Sequence, residues 1–335
     1  VPYNSPFAKA FTELPVAMGE VDGFPVPLSC GTSNKELDAI QSRGGFVDLA
    51  WRGMIEMGGA DRARFLHGMC TQDIKSLQPG QGRMAAIVNR QGKMVAEVIV
   101  RTLEDRLLLE SSRKHLPAIV EALSKFLVAD RVEMSISDWV GLGVYGTKVE
   151  DLLGVEDLKA FDFDLRGGQV MSRTPVLGFP GCDLWIKPAI APTLGQFFAL
   201  GLTPVGFETY ERLRIANGFP RWGMDMGPDL LPMEAGLEPL AISYTKGCYI
   251  GQEVIQRVKT YSEPPRMLVQ LAFEGKPVTG ARVLAGGAEV GNVTSVGDGL
   301  ALAIVRKEQK APGTTVEIDP GIPATVRALP WQARL

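Results

Sequence analysis

The residue with the clearest chemical potential is Cys248, set in the run Lys246-Gly247-Cys248-Tyr249-Ile250-Gly251-Gln252-Glu253. Gly247 and Gly251 bracket it with backbone positions that tolerate positive φ. After Gly251 the pattern turns helical: Val254, Ile255 and Val258 share a face, and Glu253 stands four residues before Arg257, the favourable order for an ion pair. The spacing predicts a tight loop that delivers Cys248 to, or just before, a helix N-terminus. The unpaired N–H groups and dipole of such an end favour a thiolate, and Lys246 adds positive charge. A cysteine in that setting is a candidate working thiol; a buried structural cysteine is the alternative reading.

The elements that must position this loop can be read in order. Asp61 is an expected N-cap for a helix over 62–69, with Phe65 and Leu66 inward. Apolar runs at 84–88 and 94–100 flank Asn89-Arg90-Gln91-Gly92-Lys93 and predict a hairpin. A third strand is expected at 106–109. Ser111 or Ser112 is expected to cap a helix whose apolar side is Leu116, Ile119, Val120, Leu123 and Phe126. A comparable order recurs after residue 140: strands at 140–144, 169–173 and 182–187, and helices at 148–153, 194–200 and 208–217. Residues 1–45 are rich in Pro and Gly, with one helical candidate at 34–41. Pro228, Pro232 and Pro239 mark a loop meander leading back to the cysteine. From Met267 onward, short apolar runs broken by Gly and Pro predict a small all-β barrel or sandwich, bounded near Glu263-Pro264-Pro265. The fold class is α+β, with two related lobes and a terminal β module.

Composition narrows the function. The chain has 335 residues, 45% hydrophobic, enough for two or three domains with real cores. A net charge of −3 gives no overall basic face, so direct nucleic-acid binding is not expected. Cys30, Cys70, Cys182 and Cys248 show no C-x-x-C spacing, which disfavours a disulfide framework or a cysteine-rich metal site and fits a reducing compartment. With only His67 and His115 available, a histidine-based metal or triad site is not expected either. No secretory pattern and no membrane-length apolar run is seen, so the expectation is a soluble, cytoplasmic protein without membrane partners.

The octapeptide around Cys248 resembles the signature of the YgfZ family of folate-binding proteins. That family includes iron–sulfur assembly factors and is related to the T-protein (aminomethyltransferase) of the glycine cleavage system. The likeness extends to 61–68 with Thr71-Gln72-Asp73-Ile74, to 213–220, to 231–237, and to 290–295 with 301–306. It implies two interleaved α+β lobes around a central folate-sized channel plus a C-terminal β-barrel. The expected division is a body over 1–265, with lobe one about 1–50 and 141–238 and lobe two about 51–140 and 239–265, then a barrel over 266–335. It also implies a tetrahydrofolate cofactor, iron–sulfur assembly or client proteins as partners, and an indirect role in tRNA modification. Cys248 would be the working residue and Lys246 would lower its pKa. Gly247 and Gly251 would give close approach, Gln252 and Glu253 would cap and orient the loop, and Tyr249 completes the motif.

Departures from the T-protein pattern bear on catalysis. Where aminomethyltransferases carry an Asp-Asp pair in the second hairpin strand, this chain has Ala96-Glu97; where they carry a pterin-holding Glu, it has Ala216. Glu97 is therefore the candidate folate carboxylate, or else a polar residue on the solvent side of a half-buried strand. Tyr244 and Arg257, which flank the signature, are the other candidate folate contacts. The alternative function is a tetrahydrofolate-dependent aminomethyl- or one-carbon transferase; a third is a scaffold in which folate is only structural.

Overall fold

The computed structural model describes residues 6–12, 14 and 16–334. The chain divides into two compact units: Val1–His67, Asp73–Met84 and Val98–Tyr210 form the first, and Gly68–Gln72, Ala85–Glu97 and Glu211–Leu335 the second. Among the described residues no helix is long and apolar enough to cross a membrane.

Two sheets carry the strands of the first unit, and residues 85–97 of one of them belong to the second unit. One has six strands, in the order Phe163–Arg166, Gln169–Arg173, Gly181–Ile186, Val140–Tyr145, Gly45–Asp48 and Thr203–Pro204. Only the last pairing is parallel. The other sheet runs Gly82–Val88, Met94–Thr102, Leu107–Ser112, Arg52–Gly58 and Glu133–Ile136. Met54 and Leu108 of this second sheet pack in one apolar cluster with Val170 and Trp185 of the first, so the two faces share a core.

A polar layer lies in the same unit. Glu110 accepts from Arg52 Nε at 2.9 Å and from the fully enclosed Arg101 Nη1 at 2.8 Å. Burial opposes ionisation of Glu110, but the two guanidiniums together hold its carboxyl below the usual range. Tyr145 Oη donates to Asp183 Oδ1 at 2.7 Å. Burial, then the charge of Glu110, pushes the Asp183 carboxyl up to about 7.

The second unit ends in a closed barrel of six strands: Arg266–Phe273, Leu300–Arg306, Ala288–Val296, Arg282–Ala285, Thr315–Ile318 and Ile322–Arg327. Alternation explains its interior. Val269 and Leu271, Ala301 and Ala303, and Ala324 and Val326 point inward two residues apart. The segment before the barrel is held by a buried node rather than by regular structure. Arg214 on helix Phe207–Asn217 donates to Asp225 Oδ2 at 2.7 Å and to Ser295 Oγ at 3.0 Å. The expected meander is seen there, interrupted only by the short helix Glu238–Ala241.

Several expectations change on inspection. Ser111 and Ser112 do not cap a helix; both belong to strand Leu107–Ser112, where Ser112 is registered opposite Arg52. The chain stays in the sheet until Arg113 N donates to Trp51 O, and the helix Leu116–Ser124 begins after a tight turn. That helix stops at Ser124, so Phe126 lies beyond it and is exposed. The hairpin Ala17–Val21 with Phe24–Ser29 and the helix Pro6–Thr12 arise where sequence suggested only loop.

Candidate functional site

The cysteine loop is assembled on a short piece of chain from the far end of the sequence. Helix Arg62–Met69 runs on into residues 70–72, and the loop is laid along 68–72. Ile250 N donates to Gly68 O at 3.1 Å, and Ser243 N to Thr71 O at 2.9 Å. The buried Thr71 hydroxyl reaches Ala241 O, and Gln72 Nε2 donates to Leu240 O at 2.9 Å. Each of these satisfies a main-chain group that would otherwise be stranded in an irregular, partly buried segment.

Lys246 fastens the centre. Its ammonium, 8% exposed, donates to Cys70 O at 2.7 Å and Gln72 O at 2.9 Å, and lies 4.7 Å from the centre of the Tyr249 ring. A lysine is rarely enclosed unless its donors are met, and here carbonyls and an aromatic face meet them. Its head is thus directed at the main chain of 70–72. Cys248, two residues on, is exposed.

Gly251 then closes the loop. Its φ is +80°, and a Cβ there would come within 2.4 Å of Asn89 O, so both conformation and space require glycine. It also occupies the cap position of the helix Gln252–Tyr261, and no side chain caps that end. Gln252 and the exposed Glu253 are the first two helical residues. Cys248 stands ahead of the helix, with Tyr249, Ile250 and Gly251 between. Ile255 is the buried residue of the helix, and Val254 sits against the hairpin turn at Gly92.

Tyr249 is the unusual member. It is 7% exposed, and its hydroxyl has no hydrogen-bond partner. Burial, and then the neighbouring Cys70, pushes its phenol up to about 12.

The candidate folate contacts have different settings. Glu97 is 2% exposed on strand Met94–Thr102, a strand enclosed on both faces, so the solvent-side reading fails. Next to it Ala96 is fully buried. Tyr244 Oη donates to Glu238 Oε1 at 3.0 Å, beneath Lys259, whose ammonium also meets Glu238 at 2.6 Å. Burial, then Glu238, raises the Tyr244 phenol. Arg257 projects from an exposed position of helix Gln252–Tyr261, and Ala216 is exposed on helix Phe207–Asn217. The loop thus gathers Lys246, Tyr249, Cys70, Thr71 and Gln72. The last three were not singled out as site residues, although Thr71 and Gln72 lie in a block whose likeness to the family was evident.

Comparison with known proteins agrees with this architecture. Residues 7–174 match the family of the GCVT N-terminal domain, and residues 266–334 match the C-terminal β-barrel domain of CAF17. An aminomethyltransferase of Streptomyces coelicolor is 29% identical, covering 90% of this chain and 88% of that protein. A chloroplastic protein of Arabidopsis thaliana, named only as a transferase, is 28% identical over 95% of this chain and 78% of its own length. The crystal structure of glycine cleavage system aminomethyltransferase T from Bartonella henselae superposes with a TM-score of 0.89 at 22% identity, covering 98% of this chain and 97% of that one, which shows a shared fold.

Proposed function

From the premise that the chain belongs to the GCVT N-terminal domain family and ends in a CAF17-type barrel, we propose a folate-binding accessory protein of the YgfZ kind. It acts in iron–sulfur cluster assembly or repair and, through cluster-dependent client enzymes, supports tRNA modification. The observation that carries this reading is an exposed Cys248 on a loop whose shape is fixed from below by the buried Lys246. A loop pinned in this way presents its thiol to a partner protein. A single cysteine cannot hold a cluster by itself, because clusters usually take four protein ligands, so a partner or small thiol completes any ligation.

Of the three candidate positions, Glu97 is the one whose chemistry suits tetrahydrofolate: a carboxylate has the paired acceptors that match the adjacent donors of a pterin ring, and this one is 2% exposed. Tyr244, bonded to Glu238, and the exposed Arg257 are not arranged as such acceptors. When bound, the folate would supply a reduced pterin able to carry a one-carbon unit, and Glu97 would orient it.

A second reading, tetrahydrofolate-dependent aminomethyl transfer, is favoured by the names of the relatives that this chain matches over most of its length. Ala96 and Ala216 count against it, since neither supplies the carboxylate that the T-protein pattern places there. Two assays decide between the readings. Cells relying on Cys248→Ala should lose support of cluster enzymes while the purified variant still binds tetrahydrofolate. Methylene transfer by the wild type with glycine-cleavage partners would instead establish the transferase.

A further inference from the structure

We propose that Cys70 is the second thiol of the site, resolving a mixed disulfide first formed on Cys248. The proposal rests on the reading of Cys248 as a working thiol and extends it to an element that the motif does not contain.

Three observations converge. First, the loop pairs with the segment that carries Cys70: Ile250 N bonds Gly68 O on one side of Cys248, and Lys246 Nζ bonds Cys70 O and Gln72 O on the other. Second, the thiols differ in the way a two-thiol exchange needs, Cys248 exposed to meet a partner and Cys70 wholly enclosed. Third, the Cys70 thiol donates to Gln72 O at 3.5 Å, and the Lys246 ammonium donates to that same carbonyl at 2.9 Å, so the cation lies close to the Cys70 sulfur. The ammonium also holds the carbonyl of Cys70 itself at 2.7 Å, and a cation so placed favours the ionised form of the sulfur.

The electron count closes with a small disulfide as oxidant. The Cys248 thiolate attacks one sulfur of the disulfide; the S–S bond breaks and one thiolate leaves. The Cys70 thiolate then attacks the Cys248 sulfur, and the second small thiolate leaves with a Cys70–Cys248 bond formed. Two protein thiols are oxidised and one small disulfide is reduced to two thiols. The second attack requires the loop to lift from 68–72. Lys246 and the Ile250 amide hydrogen bond control that motion.

Oxidised glutathione is the probe. The reduced full-length chain is mixed with it, quenched by alkylation, and analysed by free-thiol release and non-reducing peptide mass spectrometry. Wild type should release two glutathiones per chain and yield a peptide cross-linking residues 70 and 248. Cys70→Ser, with Cys70→Ala as a second variant, should release one and retain glutathione on Cys248. One equivalent from wild type, held on Cys248 with Cys70 alkylated, overturns the role of Cys70 and leaves the Cys248 reading standing. No release at all overturns both.

Discussion

The first unit buries Arg101 and Arg52 against a carboxylate, whereas the second buries Lys246 against main-chain carbonyls and the face of a tyrosine. The difference separates a charge held by a counter-charge from one held by neutral partners. In the first unit both guanidiniums meet Glu110, whose charge offsets one of theirs, and the group is fixed between strands. In the second, carbonyl oxygens satisfy the ammonium's donors without cancelling its charge, and the loop so held presents a thiol to solvent. An ion pair between strands is hard to move. A cation resting on a single short segment can let go, as the proposed thiol exchange requires.

The comparison breaks most visibly if the carboxylate is removed. Glu110→Gln should cost about 3–5 kcal/mol in chemical denaturation, because two guanidiniums are left without their counter-charge in an enclosed layer. Lys246→Met should cost less, about 1.5–3 kcal/mol. Its loss should be read locally, as faster hydrogen exchange at 246–250 with little change in the barrel strands; equal acceleration throughout would show that the lysine holds more than its loop.

The pH dependence sharpens the contrast. Asp183 titrates near 7 in the folded chain, above the ordinary carboxylate range, so the folded state keeps a proton that the unfolded state releases. The stability tied to that proton is complete below about pH 4 and fades as pH rises through 7. Unfolding free energy should therefore decline across that window, and Asp183→Asn should flatten the decline. An unchanged slope in the variant would assign the titration elsewhere. Smallest of all, Cys248→Ala at the solvent-facing loop should shift stability by no more than about 0.5 kcal/mol while removing the site's function.

What the sequence made legible was local. The helix after Gly251 follows from the spacing of Val254, Ile255 and Val258, and it runs Gln252–Tyr261. The barrel follows from period-two alternation, as in Val269 and Leu271. What stayed hidden needed partners distant in sequence. Lys246 looked like a charge placed for the cysteine, but its acceptors lie 176 and 174 residues away, and no local pattern announces them. Glu97 read equally well as solvent-facing because period-two logic presumes one wet face, and strand Met94–Thr102 has none. Ser111 and Ser112 have good capping chemistry, yet the pairing of Ser112 with Arg52 prevailed over it.

The most direct test of the account is a calorimetric titration of tetrahydrofolate into wild type, Glu97→Ala and Cys248→Ala. The account predicts binding by the wild type, loss in Glu97→Ala, and unaltered binding in Cys248→Ala. That would place the folate on the enclosed carboxylate and leave the thiol loop for separate chemistry. No binding by the wild type would contradict the proposed function and leave the cysteine loop as its surviving part.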